Sequence, residues 1–301
     1  MKPLFPYIGG KARVAGVIIQ KIEASAGVEG RDVFVDVFGG SGSVTMRAGW
    51  KKRIYNDLSG DLVNLFRCIG DPRKNRSLRH RLSSMPPSRE LFNEGYKIFT
   101  DGGRSFSSLR VQQIERAART IYHQLFSFGG KTISGGFSVS LRDRHGIKEV
   151  ARYSNVRRRI ESCCDFWMNT LIEQLHFTDV FEMYGSQPGA LLYCDPPYDG
   201  TERYYSGFSR HDHETLSELA STCEAHVAIS YYRTPMIENL YPSSMWEIVP
   251  IEATKNSQFI GRQKAKSSEI MIIRKTRRPP KESRGGQQLL NFAQTKNEKT
   301  P

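Results

Sequence analysis

The sequence predicts an α/β protein whose sheet is largely parallel, and two observations lead to this fold class. Six short β-branched or aromatic runs predict strands at residues 33–38, 54–55, 190–194, 227–230, 246–251 and 270–273. Helical patterns, such as those of residues 13–22 and 214–224, separate several of these runs. Strands that alternate with helices are typical of parallel sheets with helical crossovers.

The predicted strands fall into two groups, the first ending near residue 57 and the second starting near residue 176. The segment between them is mainly helical in pattern, contains many arginines and has an expected hairpin at residues 134–146. We therefore expect an inserted domain at 58–171 within a domain formed by 1–57 and 172–276. Residues 277–301 are rich in Pro, Gly, Gln and Lys, which predicts a disordered basic tail.

The composition indicates a protein that meets a polyanion. The 301 residues carry a formal net charge of +13, which favours nucleic acid as the partner over a merely soluble cationic surface. No apolar stretch approaches the roughly 18 residues of a membrane span, and the first residues lack a secretion signal. The sequence thus predicts no membrane association and a cytoplasmic location.

Cysteine and histidine spacing predicts neither a metal site nor a disulfide framework. The five cysteines are odd in number and lack a CxxC pair, as expected in a reducing compartment. His211-Asp212-His213 comes nearest to a ligand set, and we interpret it as a polar helix start. Cys194 is expected in the core, which disfavours a C5-cytosine mechanism because that chemistry needs a thiolate.

Residues 195–198, Asp-Pro-Pro-Tyr, carry the clearest chemical signal in the chain, and they close the apolar run of residues 190–194. Asp195 and the carbonyl of Pro196 are two acceptors that the prolines hold rigidly. Tyr198 offers a flat face for stacking. This arrangement fits a planar amine such as the exocyclic amino group of a nucleobase.

Three further features indicate a ligand that has a ribose and a carboxylate. Residues 36–42 form a strand end with a glycine-rich turn, and Asp57 ends the next short strand, where an acid can bind ribose hydroxyls. The alternative role for Asp57 is a helix N-cap. Gly9, Gly10 and Lys11 precede a helix, so that backbone N–H groups and a cation can bind a carboxylate. Together these features predict S-adenosylmethionine as the cofactor.

The ordered set of motifs resembles the Dam-like DNA adenine N6-methyltransferases, which are the D12 class of the alpha group. The motifs are Tyr7-x-Gly9-Gly10-Lys11, Asp36-x-Phe38-x-Gly40-x-Gly42, Asn56-Asp57 and Asp195-Pro196-Pro197-Tyr198. Segments 116–130, 208–216 and 228–232 are also similar to that family, and the resemblance covers roughly residues 2–274. It implies a Rossmann-like methyltransferase sheet with an inserted, mainly helical target-recognition region.

The resemblance also implies which residues bind the cofactor. Tyr7 and Lys11 would contact its methionine end, Asp57 its ribose, and Asp179 and Phe181 its adenine. The full implied set is Tyr7, Lys11, Asp36, Phe38, Gly40, Asp57, Asp179, Phe181 and Asp195.

For catalysis, the expected groups are Asp195, the Pro196 carbonyl and Tyr198, acting on N6 of an adenine flipped out of double-stranded DNA. Flipping costs a few kcal/mol, which the basic insertion would offset through phosphate contacts and a hairpin wedge. Phe137 or Leu141 is the expected wedge, with packing inside the hairpin as the alternative. The candidate DNA-binding residues are Arg119, Lys131, Phe137, Leu141, Arg142 and Arg144.

Other functions remain open at this stage. The same fold serves an N4-cytosine or an RNA N6-adenine methyltransferase, and a catalytically silent nucleic-acid-binding protein is a further alternative. The short, arginine-rich insertion predicts relaxed sequence specificity. The expected setting is a restriction-modification system or a phage-encoded orphan enzyme. The stretch from Gln287 to Phe292 resembles bacterial sliding-clamp tethers, with a nonfunctional disordered tail as the alternative. The oligomeric state is not predicted.

Overall fold

A computed structural model describes residues 1, 3–7, 9–25, 28–100, 109–127, 136–139, 146–198, 208–251 and 269–275. Within residues 96–100 it describes only the backbone. The predicted DNA contacts Lys131, Leu141, Arg142 and Arg144 lie outside these residues, as does most of the predicted hairpin. The predicted tail, with the proposed clamp tether from Gln287 to Phe292, also lies outside them.

Strands and helices alternate along the described chain, apart from a purely helical stretch between the second and third strands. The strands are β1 (Val33–Asp36), β2 (Lys52–Asn56), β3 (Leu171–Glu173), β4 (Ala190–Cys194), β5 (His226–Tyr232), β6 (Trp246–Pro250) and β7 (Glu269–Arg274). The helices are α1 (Ala15–Glu23), α2 (Gly60–Gly70), α3 (Pro72–Ser83), α4 (Arg89–Thr100), α5 (Leu109–Phe126), α6 (Lys148–Ser162), α7 (Cys164–Met168), α8 (Phe177–Tyr184), α9 (Arg210–Thr222) and α10 (Pro235–Leu240).

The described strands form one sheet in the order β3-β2-β1-β4-β5-β7-β6. Neighbours from β3 to β5 pair in parallel, whereas β7 runs antiparallel to both β5 and β6. The predicted α/β class is therefore confirmed, and the arrangement is consistent with a Rossmann-like methyltransferase fold. The sequence does not predict β3, because that strand has three residues and none is fully buried.

The order of the strands creates a crevice between β1 and β4. From β1 the chain moves outward through β2 to β3, and it then returns to β4 on the other side of β1. Ligands of open α/β sheets bind outside the carboxyl ends of the strands at such a reversal. The fold therefore places a binding site at the ends of these two strands.

Central strands of the sheet are buried on both faces, which explains their continuous apolar sequences. Val35 and Leu192 pack on the face that α8 and α9 cover, whereas Phe34 and Leu191 pack on the face that α1 covers. All four side chains are fully buried. Cys194 also lies in the core, as the sequence predicts, and burial raises its pKa well above the ordinary value, so a thiolate is disfavoured.

The helices α2 to α7 follow one another between β2 and β3, and their apolar faces meet in a core that also contains Tyr55 of β2. Phe66 of α2 stacks on Trp167 of α7 with 4.0 Å between ring centroids, and Tyr55 packs edge-on against both rings. The helical stretch is thus anchored directly on the sheet. The predicted domain limits at residues 58 and 171 stay a prediction.

Two further sequence expectations concern membranes and metals. None of the described helices combines the length and the apolarity that crossing a bilayer requires. The described residues also contain no group of three His, Cys, Asp or Glu side chains that could hold a metal ion. The polar helix start is confirmed, because Ser209 caps α9 and forms a capping box with Asp212.

Candidate active site

Three acidic residues lie at the crevice. Asp36 is the last residue of β1, Asp57 follows the last residue of β2, and Asp195 follows the last residue of β4. The parallel register pairs Asp36 with Tyr55 on one side and with Tyr193 on the other. The structure therefore brings together, at one edge of the sheet, three acids that are far apart in sequence.

The glycine-rich turn after β1 is held in place by contacts with β2 and with the residue that follows β2. Gly40 has a φ of +50°, and its N–H donates to Asp57 Oδ2 at 2.8 Å. Tyr55 donates its hydroxyl to the Gly40 carbonyl at 2.8 Å, and a Cβ at Gly39 would lie 2.2 Å from the Tyr55 ring. Asp57 Oδ1 also accepts the N–H of Ser59 at 2.8 Å, so Asp57 fills a local capping role as well.

The N-terminal motif packs on this turn. A Cβ at Gly40 would lie 3.1 Å from the Tyr7 ring, and the Gly10 N–H donates to the Tyr7 carbonyl at 3.0 Å. Gly9 has a φ of +69° and accepts a hydrogen bond from Lys11 Nζ at 3.1 Å. The side chain of Lys11 is only 7% exposed. The turn thus delivers a buried ammonium group to the crevice.

Asn56 connects the ends of three chain segments below the crevice. Its side-chain amide donates to the carbonyl of Val37 at 2.9 Å and to the carbonyl of Leu175 at 3.1 Å. Its side-chain oxygen accepts the Leu175 N–H at 2.8 Å. Because Asn56 is buried, these bonds hold the end of β2 in place, and they thereby fix the position of Asp57, the next residue.

Lys11, Asp195, Tyr198 and Glu269 form a closed ring of polar contacts, which we call the polar cycle. Lys11 Nζ lies 2.6 Å from Asp195 Oδ1 and 3.2 Å from Glu269 Oε1. Tyr198 Oη lies 3.0 Å from the same Asp195 oxygen and 2.7 Å from the same Glu269 oxygen. Sequence reasoning missed Glu269 because it opens β7, a strand with no motif of its own.

Burial raises the pKa of all three crevice carboxyl groups. It raises the pKa of Asp36 to about 7, although hydrogen bonds from Thr45 oppose the shift. It raises the pKa of Asp57 against two backbone N–H donors, and the pKa of Asp195 against the charge of Lys11. Burial therefore makes the ionised form of each group less favourable than it is in water, and a cationic ligand beside them would stabilise the charged forms.

An aromatic cluster borders the crevice next to β1. Phe38 lies 5.9 Å from Phe177 and 5.8 Å from Phe208, measured between ring centroids. Phe181 lies one turn further along α8 in the buried core, and Asp179 is exposed in the first turn of that helix. Phe177 was not predicted, because helix periodicity cannot tell which of Phe177 and Phe181 is nearer the strand ends. Phe208 was not predicted, because it lies before α9 and meets this cluster only through tertiary packing.

The predicted DNA contacts within the described residues lie inside the helical stretch. The side chain of Arg119 is 5% exposed, and its guanidinium donates to Glu115 at 2.8 Å and to the Leu91 carbonyl at 2.9 Å. Phe137 stacks on Phe126 with 5.8 Å between centroids. These contacts support packing roles for both residues, and they do not bring Arg119 to a surface.

A basic groove of about 560 Å³ separates α3 from α6. Arg76, Arg157 and Arg158 line it as exposed side chains, and Arg79 pairs with Glu161 at 2.9 Å. The groove has a rigid floor, because the buried amide of Asn75 on α3 donates to the Ile69 carbonyl at 2.8 Å and to the Ile160 carbonyl of α6 at 3.1 Å. Several exposed guanidinium groups along one groove suit a phosphate backbone.

Comparison with known proteins gives a family that fits this geometry. The sequence profile described as "D12 class N6 adenine-specific DNA methyltransferase" matches residues 7–257. That range includes the N-terminal motif, the glycine turn, all three crevice acids and the groove.

Individual relatives agree with the profile. The chain is 24% identical to a type II methyltransferase, M1.LlaDCHI, of Lactococcus lactis subsp. cremoris, over 90% of this chain and 95% of the relative. It is 21% identical to a DNA adenine methylase of Serratia marcescens, over 89% and 96% respectively. It is also 23% identical to a DNA N-6-adenine-methyltransferase of Escherichia phage P1, over 90% of this chain and 35% of that longer protein.

Proposed function

This chain belongs to the D12 class N6 adenine-specific DNA methyltransferases, and we propose that Asp195, Pro196 and Tyr198 are its catalytic residues. The family membership makes the chain an enzyme that acts on adenine in DNA, and it supports this function over the N4-cytosine, RNA and catalytically silent alternatives. The observation that carries the proposal is the position of Asp195, whose largely buried carboxyl group directly follows β4 in the crevice.

The proposed mechanism localises the lone pair of adenine N6. That nitrogen is a weak nucleophile because its lone pair is delocalised into the ring. Asp195 accepts one N6–H and the Pro196 carbonyl accepts the other, which draws N6 toward tetrahedral geometry. Tyr198 stacks on the base with the ring face that Lys11 does not cover, since Lys11 Nζ lies 4.9 Å from the ring centroid. Fixing these groups beside the methyl donor contributes about 7 kcal/mol to lowering the barrier.

The family implies a reaction that depends on S-adenosylmethionine, and the crevice fits this cofactor. Asp36 Oδ1 is buried and has no hydrogen-bond donor among the described residues, while its Oδ2 accepts the Thr45 hydroxyl at 2.5 Å. An unsatisfied buried acceptor costs roughly 1–3 kcal/mol, which a ligand ammonium group would relieve. When bound, the cofactor supplies an electrophilic methyl group on a sulfonium centre.

In this proposal, different residues around the crevice bind different parts of the cofactor. Asp36 binds the α-ammonium group, and Tyr7 and Lys11 flank the methionine end. Gly40 lets the backbone approach it, because its positive φ disfavours any side chain there. Asp57 binds the ribose hydroxyls.

The aromatic cluster would bind the cofactor's adenine ring. Phe38, Phe177 and Phe208 contact one another and together form an apolar aromatic surface against which a flat ring can pack. Phe181 supports this cluster from the core, one helical turn behind Phe177. Asp179 stays a candidate for the adenine amino group because it lies in the first turn of α8, two residues after Phe177.

For the DNA, we propose that the helical insertion holds the phosphate backbone while the target adenine is flipped out. The basic groove contributes through Arg76, Arg157 and Arg158, whose side chains are exposed. Relaxed sequence specificity remains a prediction, and the wedge role of Phe137 competes with its stacking on Phe126.

The setting follows from the relatives, which come from bacteria and a bacteriophage. We propose that the enzyme methylates DNA in the cytoplasm of a bacterial or phage-infected cell, in a restriction-modification system or as an orphan. Clamp contact through the stretch from Gln287 to Phe292 stays a prediction.

The test is to treat unmethylated DNA with enzyme and S-adenosylmethionine and to map every modified base by sequencing. We expect N6-methyladenine in many sequence contexts, and none with the Asp195→Ala variant. Methylation confined to one tetranucleotide would refute relaxed specificity. Methylcytosine as the product would overturn the assigned target.

A further inference from the structure

The polar cycle of Lys11, Asp195, Tyr198 and Glu269 consists of four polar contacts, which we call its edges. Its members carry too few hydrogens to place a hydrogen bond on every edge. Lys11 supplies one hydrogen to Asp195, one to Glu269 and a third to the Gly9 carbonyl. The Tyr198 hydroxyl has a single hydrogen, which cannot serve both carboxylates. Whichever carboxylate the hydroxyl serves, at 2.7 Å for Glu269 or 3.0 Å for Asp195, the contact with the other carboxylate lacks a hydrogen. The cycle therefore has room for one more proton.

The charges in the cycle show how that proton can be accommodated. Two carboxylates face one ammonium group, and their side chains are 15% and 22% exposed against 7% for Lys11. Burial and the charge of Glu269 raise the pKa of Asp195, whereas Lys11 and the Tyr198 hydroxyl lower it. Without Glu269, the charge of Lys11 would act on Asp195 alone and would make it a weaker base.

Glu269 is held firmly enough to act as a fixed countercharge. It is the first residue of β7, where its backbone pairs with Tyr232 of β5. On its other side, the Ile251 N–H donates to the Glu269 carbonyl at 2.8 Å. The Tyr232 ring packs edge-on against the Tyr198 ring at 4.6 Å between centroids. The strands on both sides thus fix the distance from Glu269 to the catalytic tyrosine.

We propose that Glu269 is a positioning residue that balances the charge of Lys11 while Asp195 gains and loses a proton. During transfer, N6 bonds to the methyl carbon as the carbon–sulfur bond breaks, and that bond's electron pair stays on sulfur. N6 then releases one proton to Asp195 and keeps the electron pair of the broken N–H bond. Lys11 remains neutralised by Glu269 throughout. This inference rests on the proposed role of Asp195.

The experiment is a pH profile of the single-turnover methylation rate, with full-length enzyme, saturating S-adenosylmethionine and duplex DNA. Glu269→Gln removes the charge but keeps the shape of the side chain. The rate should fall at low pH as Asp195 becomes protonated, and the pH at which it is half its maximum is the acidic midpoint. Because Asp195 becomes a weaker base in Glu269→Gln, we expect this midpoint to move lower by roughly one pH unit. The matched control is Glu247→Gln, an exposed glutamate on the adjacent strand β6, which should leave the midpoint in place.

Tyr198→Phe tests the same cycle in the opposite direction and does not depend on the folding of the first variant. It keeps the ring but removes the hydroxyl that stabilises ionised Asp195. The acidic midpoint should therefore move to higher pH. Midpoints that stay at the wild-type value in either folded variant would overturn the role of Glu269, even if the rates fall.

The two proposals fail differently in this experiment. A wild-type enzyme that methylates no adenine, or an Asp195→Ala variant that remains fully active, would refute the proposed function. An active wild type with an inactive Asp195→Ala variant and unmoved midpoints would refute only the inference about Glu269.

Discussion

In the proposed mechanism, Asp195 accepts an amine hydrogen at a place where burial disfavours its charge. Lys11 Nζ, at 2.6 Å, opposes the rise in the pKa of Asp195 that burial causes, and Glu269 limits how strongly that ion pair suppresses its basicity. Both contacts of the polar cycle use Asp195 Oδ1.

The raised pKa of Asp36 leads to a prediction of how cofactor binding depends on pH. Burial raises the pKa of Asp36 to about 7, so below that pH the residue is protonated in the free enzyme. A bound ammonium group needs the ionised form, and binding must then release a proton. The association constant should rise by up to tenfold per pH unit below about 7 and level off above it. Calorimetric titration of S-adenosylmethionine between pH 5.5 and 7.5 measures this slope.

Substitutions separate Asp36 from other sources of pH dependence. Asp36→Asn should bind S-adenosylmethionine with nearly the same affinity across this range, because it has no carboxyl group to titrate. Asp32→Asn, at an exposed position just before β1, should keep the wild-type slope. An unchanged slope in Asp36→Asn would assign the pH dependence to another group.

Among the secondary-structure elements, β1 and β2 position the crevice through Asn56. Its amide and carbonyl groups bond to Val37 and Leu175, so they join the ends of β1, β2 and the segment after β3. Asn56→Ala should lower the free energy of unfolding by about 1–3 kcal/mol, since it leaves buried backbone groups without partners. Urea denaturation measures this loss. A value no larger than that of Asn169→Ala, an exposed position, would contradict the role.

The groove between α3 and α6 predicts how salt affects DNA binding. If Arg76 and Arg157 each contact a phosphate, the double alanine variant should reduce the slope of log K against log salt by about 2. Fluorescence anisotropy with a 30-base-pair duplex in a series of salt concentrations measures it. The methylation rate at saturating DNA should not change, because neither residue lies in the crevice.

A charge-matched control tests whether the groove matters or only the net charge. Lys21 and Lys51 lie near the amino-terminal edge of the sheet, the edge opposite the crevice. The Lys21→Ala and Lys51→Ala double variant should keep the wild-type slope. Equal slopes in the two double variants would remove the groove from the account.

At the scale of the whole molecule, the sheet and its crevice follow from the sequence, because the signals are local. The apolar strand runs, the glycine turn and the Asp-Pro-Pro-Tyr motif are each contiguous, and the order of the elements then places them at one edge. The three-residue strand β3 has no comparable pattern and is set by pairing with β2.

The remaining site residues depend on contacts between distant parts of the chain. Glu269 meets Tyr198 only because β7 inserts antiparallel beside β5. Arg119 is buried because α5 packs in the interior of the helical stretch, which a basic sequence pattern does not reveal. Phe177 and Phe208 come together through tertiary packing of α8 with the segment before α9.

The central claim is that the carboxylate of Asp195 accepts hydrogen from adenine N6, and an Asp195→Asn variant tests it most directly. The measurement is the single-turnover methylation rate in a preformed complex with DNA and S-adenosylmethionine, alongside the affinity for both ligands. We predict a rate lower by roughly 10²–10⁴-fold with affinities changed only a few-fold. A rate within a few-fold of the wild type would contradict the account.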